Sequence, residues 1–140
     1  MRINLSKIAD SCAFLTILFA LFGLFSYLTG FKALGSISEN YIPMAPSTSI
    51  CFIILGLALI YLDKIETNRS LRLSLTAGIV FVLVFGFLCL MGFWLNMDLN
   101  FENRLIPSAG KFNDIPVARM APITGFVFCL AATAILLLFM

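Results

Sequence analysis

Three observations predict an all-α integral membrane protein with four transmembrane helices, arranged as two hairpin repeats of parallel topology. The first is composition: of 140 residues, 61% are hydrophobic and 11% charged, with a mean hydropathy of +1.07. A water-soluble domain of this size leaves much of its surface outside and cannot hide so much apolar area in its own core. The second is a set of four apolar runs, each near the roughly 20 residues that a helix needs to cross about 30 Å of hydrocarbon. The third is a five-residue pattern, Met-Ala-Pro-x-Thr, that occurs once in each half of the chain.

The runs are Ala9 to Leu28, Ala45 to Leu62, Leu73 to Leu95 and Ala121 to Met140. A helix is the only open-ended element that satisfies its own backbone in lipid, so each run is expected to be helical. Asp10 falls in the first turn of its run and reads as an interfacial or capping carboxylate; no run carries an ionisable residue at its middle. The basic start resembles a signal peptide, but the first run is too long and lacks a small-residue cleavage site, so it counts as a span. One membrane domain, 1–140, results, with repeat 1 at about 1–64 and repeat 2 at about 69–140.

Basic residues set the orientation. Arg2 and Lys7 in the N-terminal tail and Lys64, Arg69 and Arg72 in the tight middle loop make five in two short segments. The other four, Lys32, Arg104, Lys111 and Arg119, are spread through the two longer loops and balanced there by acidic residues. The positive-inside rule then places both termini and the middle loop in the cytoplasm.

Composition also excludes chemistry. There is no histidine, which removes the usual general base, zinc ligand and haem ligand. Cys12, Cys51, Cys89 and Cys129 each stand alone in a different apolar run, which reads as packing and not as a redox pair or metal site. Asp98, Asn100 and Glu102 lack the glycine turn and distal glutamate of a calcium loop. The net charge of +2 is unclustered and speaks against nucleic acid. No catalytic residue, metal or cofactor is therefore expected; the expected partners are membrane lipid and a second copy of the parent protein.

The repeated pattern is the most informative feature. Met44-Ala45-Pro46-Ser47-Thr48 opens the second run and Met120-Ala121-Pro122-Ile123-Thr124 the fourth, while Tyr27-Leu28 and Trp94-Leu95 close the runs before them. Both halves thus share one topology, and parallel repeats are related by a rotation of roughly 180° about the membrane normal. Proline suits a first helical turn because its missing N–H has no intrahelical partner there. One reading of the pair is a rigid helix start. The other is that two helix N-termini converge at the outer surface and bind a small polar or anionic ligand, with Pro46, Thr48, Pro122 and Thr124 at the site. Arg119 either adds a full charge to that site or faces headgroups and pairs with Asp114. Trp94 and Tyr41 read as an interfacial aromatic belt or, alternatively, as part of a ligand cage. The long loop Asn96 to Arg119 would then form a lid.

The stretches MAPSTSICFIILGLALIYL, from Met44 to Leu62, and RMAPITGFVFCLAATAILLL, from Arg119 to Leu138, resemble the paired hairpins of a membrane input region found in bacterial sensor proteins. That resemblance spans nearly the whole chain and implies membrane helices ahead of cytoplasmic PAS, histidine kinase or diguanylate cyclase modules. It departs at Gly125-Phe126-Val127, where the first repeat has Ser49-Ile50-Cys51, and in the longer second loop. The fourth run closes on Leu138-Phe139-Met140 with no Lys, Arg or Trp of its own as an anchor, so an output domain beyond it is expected. The alternative is a small four-helix accessory subunit or transporter-like protein. Proton-coupled export is disfavoured, since it needs a carboxylate deep in the membrane. A small-residue stripe, Ala121, Gly125, Cys129 and Thr133, offers a surface for close helix approach.

The topology is testable by labelling intact cells, in a background whose four native cysteines are replaced. A Lys111→Cys probe should react with an impermeant thiol reagent from outside, and Lys64→Cys only after permeabilisation. The reverse pattern overturns the orientation.

Overall fold

The computed structural model describes residues 5–29, 44–65, 67–95, 111–112, 115–116 and 120–139. Four helices dominate: α1 (Leu5–Thr29), α2 (Pro46–Ile60), α3 (Arg69–Trp94) and α4 (Pro122–Phe139). A 3₁₀ turn, Leu62–Lys64, follows α2, and a two-residue antiparallel pair, β1 (Lys111–Phe112) with β2 (Ile115–Pro116), lies between α3 and α4. Three of the helices are long and apolar enough to cross a membrane, over Lys7–Thr29, Arg69–Trp94 and Pro122–Phe139.

The second helix is shorter than the run that announces it. With 15 residues it is about 22 Å long, less than a hydrocarbon core requires. It ends because Tyr61 leaves helical geometry (φ −95°, ψ 7°) and the polar Asp63-Lys64 step continues as a 3₁₀ turn, with the Lys64 ammonium 5.2 Å from the centre of the Tyr61 ring. Pro46 and Pro122 are each the first residue of their helix. The first backbone bonds are matched too, Ser49 N–H to the Ala45 carbonyl (3.2 Å) and Gly125 N–H to the Ala121 carbonyl (3.1 Å). At the start of α3, the Asn68 carboxamide oxygen accepts from the N–H groups of Ser70 and Leu71, satisfying two of the donors that a helix start leaves open.

Packing makes α2 the central element. Its most extensive contact is with α1, as that of α3 is with α4, and it also touches α3 and α4, joining the two hairpins. The main core lies among α2, α3 and α4, around Leu55, Ile79, Val82, Phe128 and Ile135. Phe52 of α2 meets Phe128 of α4 edge to face, with ring centroids 4.9 Å apart. Glycine sets the distances. A Cβ on Gly86 would lie 2.7 Å from the Gly125 carbonyl oxygen, so α3 meets α4 at nearly bare backbone, and one on Gly56 would lie 2.6 Å from Cγ1 of Ile17, so the Ile17 side chain of α1 seats directly on α2.

The predicted small-residue stripe is only half used. Gly125 and Cys129 face α3, where the Cys129 thiol lies 3.6 Å from the Leu83 carbonyl, but Ala121 and Thr133 are exposed. The buried face of α4 runs instead through Gly125, Phe128, Ala132, Ile135 and Phe139, because a 3.6-residue turn carries a strict four-residue stripe out of the interface. The outward faces are apolar, with Phe14, Phe19, Phe87, Phe93, Phe126 and Leu137 all more than half exposed. Hydroxyls on these faces turn back to their own helix: Thr16, Thr29 and Thr133 donate to the carbonyls of Cys12, Phe25 and Cys129 at 2.7–2.8 Å.

Gly86→Ala should lower thermal stability in detergent by about 1–3 kcal/mol, since its methyl meets backbone. Gly78→Ala should cost less, because only the Cγ2 methyl of Ile54, at 3.0 Å, must give way. Equal melting temperatures for the two variants would mean that the α3/α4 crossing is looser than described.

Candidate functional site

The start of α2 is a buried polar corner. Pro46 and Ser49 are fully buried, and Ala45, Ser47 and Thr48 nearly so. Leu and Phe fill most of this chain, so a run of three hydroxyl side chains in the interior stands out chemically, because a buried hydroxyl must find a partner. The Ser49 hydroxyl donates to the Met44 sulfur at 3.2 Å. Across from them on α1 is Gly23, whose Cβ would fall 3.0 Å from Ser49 Oγ and 3.3 Å from Met44 Sδ. Ser26, one turn further along α1, is also buried. The corner is thus made by glycine on one helix and serine on the other.

The second Met-Ala-Pro-x-Thr sits differently. Met120 is buried, but Ala121 is exposed, Pro122 and Thr124 are half-buried, and Ile123 is 79% exposed. Three residues after the proline, Gly125 occupies the place that Ser49 has in the first copy, and it faces Gly86. The difference follows from position: α2 has neighbours on three sides, whereas α4 has its main contact with α3 and an open flank. Of the sequence-predicted site residues, Pro46 and Thr48 lie in the interior, Pro122 and Thr124 at its edge, and Trp94, the last residue of α3, is 82% exposed. Tyr41 and Arg119 lie outside the described residues. The corner also includes Ser47 and Ser49, which with Thr48 make three consecutive hydroxyl residues within an apolar run, and Met44 and Ser26, which no such pattern marks.

Charge gathers at the other end of the bundle. The charged side chains of the four helices and the tight turn are Lys7 and Asp10 on α1, Asp63 and Lys64 in the turn, and Arg69 and Arg72 on α3. Arg72 Nη2 donates to the Phe139 carbonyl at 3.0 Å. A cation there complements the negative end of α4, so α3 supplies the anchor that α4 lacks in its own sequence. Among the described residues no group of three or more Cys, Asp or Glu side chains is placed to hold a metal ion. No family model matches this sequence, nor does any curated protein or solved structure.

Two substitutions at the polar corner separate its hydrogen bond from its packing. Ser49→Ala should cost about 0.5–1.5 kcal/mol through the lost hydroxyl contact. Ser49→Leu should cost more, about 1–3 kcal/mol, because the serine hydroxyl already fills the room that Gly23 leaves on α1. Thermal unfolding in detergent checks both, and a Leu variant as stable as the parent would show that α1 and α2 do not meet tightly at Gly23.

Proposed function

We propose that this chain is the transmembrane input region of a bacterial signalling protein, set in the inner membrane with both termini cytoplasmic and acting as part of a homodimer. It receives a stimulus from the outer face or the membrane and passes it to a cytoplasmic histidine kinase or diguanylate cyclase module. The chain itself is not catalytic in this reading.

The observation that carries the proposal is the Phe52–Phe128 contact. Each phenylalanine stands six residues after the proline of its Met-Ala-Pro-x-Thr, and the two rings touch at 4.9 Å. A residue that meets its own counterpart lies near the axis relating the two halves, as in any isologous contact. This supports two parallel hairpins around a pseudo-twofold axis. The glycine contacts support the same reading, since Gly23 faces Ser49 and Gly86 faces Gly125, each partner being three residues after a proline. Such an arrangement suits a two-state device: a change at the outer ends of α2 and α4 shifts one hairpin against the other about the Phe52–Phe128 contact, and α4 carries the shift inward. The outer ligand is small and polar or anionic, held by the two helix starts with Arg119.

Arg119→Ala in the full-length parent should weaken the response to an anionic stimulus, or the ligand-induced thermal shift of this region, by about 1.5–3 kcal/mol of affinity. That corresponds to roughly ten- to a hundredfold. Lys64→Ala, at the opposite end, should leave it unchanged. Equal behaviour of the two variants would reduce the Met-Ala-Pro-x-Thr pair to helix starts and favour an accessory-subunit role.

A further inference from the structure

A groove of about 540 Å³ opens between the first two turns of α3 and the last turn of α4, lined by Arg69, Arg72, Leu73, Thr76, Leu136 and Phe139. Its volume falls within the range of small-molecule pockets, about 300–1,000 Å³. Arg69, Arg72, Leu73 and Thr76 are spaced i, i+3, i+4, i+7 and so share one face of α3, with the two guanidinium-bearing residues at the helix start and the apolar positions further along. Leu136 and Phe139 supply the facing wall from α4. The bond from Arg72 to the Phe139 carbonyl fixes one guanidinium at the mouth and uses one of its five N–H groups. The cleft is therefore amphipathic along its length, cationic at the end of the helices and apolar toward their middle.

We infer that this groove binds an anionic phospholipid, its phosphate held by Arg69 and Arg72 and an acyl chain lying against Leu73, Thr76, Leu136 and Phe139. Charge complementarity selects the occupant. A zwitterionic lipid would bring its own cation to two arginines, and a free anion would leave the apolar wall unused. Guanidinium suits phosphate because its N–H groups present a planar fork. Basic pockets between membrane helices on the cytoplasmic side have the chemistry that anionic headgroups require. Leu73 is 72% exposed, so the groove is open on the flank where an acyl chain would arrive. The lipid would bridge α3 and the end of α4, the helix that leads toward any output module, and so bias the position of that helix.

The inference rests on the membrane placement proposed above, and the experiment separates the two. Flotation of the reconstituted chain with vesicles and its resistance to carbonate extraction test insertion alone. Native mass spectrometry of the inserted and detergent-extracted protein then compares phosphatidylglycerol, phosphatidylcholine and inorganic phosphate. Phosphatidylglycerol should be retained preferentially, and Arg69→Gln should weaken its retention about fivefold, the effect of one cation near an anionic headgroup. Thr76→Phe should also weaken it by filling the groove while leaving both charges. Arg72→Gln should do the same but lower thermal stability as well, because α4 loses its cap, so Arg69→Gln and Thr76→Phe carry the test. Equal retention of the two lipids, or unchanged binding in Arg69→Gln, overturns the inference. Competition by inorganic phosphate with no effect of Thr76→Phe also overturns it, in favour of a simple anion site. Failure to float overturns the membrane placement first.

Discussion

Everything in this fold depends on glycines that let neighbouring helices approach closely. A chain whose outward faces are as apolar as its core gains little by exchanging one apolar neighbour for another, so dispersion at close range must hold the helices together. Gly86 against Gly125 and Gly56 against Ile17 provide that closeness, and each sits where a single methyl group would collide. Once α1 is bound to α2 and α3 to α4 in this way, the larger side chains complete the assembly: Phe52 and Phe128 join the hairpins, and Ile79 and Val82 fill the space among α2, α3 and α4. The short α2 follows from the same constraint. A helix with protein neighbours on three sides can be 15 residues long and still keep most of its surface covered.

Polar groups are disposed of in two ways. On the outward faces, hydroxyls fold back onto carbonyls of their own helix, and no neighbour is needed. At the start of α2 the hydroxyls point inward instead, and Ser49 finds the Met44 sulfur in a space that Gly23 leaves open. A methionine sulfur is a weak acceptor, so this corner is held by fit as much as by hydrogen bonding.

The apolar runs made α1, α3 and α4 legible from sequence, because about 20 uninterrupted apolar residues have few other structures open to them. The end of α2 was not legible to within a turn, since Tyr61 and Leu62 remain apolar enough to continue a run while the backbone has already left the helix. Proline at a first turn gave the starts of α2 and α4. What periodicity could not give was which small residues touch: Ala121 and Gly125 look alike in a four-residue stripe, yet only one faces another helix. Arg72 shows a similar limit. Its contribution to the positive side of the chain is a one-dimensional property, but its bond to Phe139, 67 residues away, exists only once α3 and α4 are packed. Arg119 and Tyr41 lie outside the described residues, so of the candidate site residues the structure places Pro46, Thr48, Trp94, Pro122 and Thr124.

The two Met-Ala-Pro-x-Thr helix starts share a local structure but not an environment, an inequality that matters under the function proposed above. A symmetric pair of hairpins would respond to a stimulus as two equal arms. Here the first Met-Ala-Pro-x-Thr is buried in the interior and the second lies at its edge, with Ile123 79% exposed. The start of α2 is set against α1 through Ser49 and Gly23, whereas α4 is more open at its start and is tied to α3 at its other end by Arg72. A ligand-driven shift of α4, under the function proposed above, would have to pass the close backbone contact of Gly125 with Gly86, which lies about one turn into the helix.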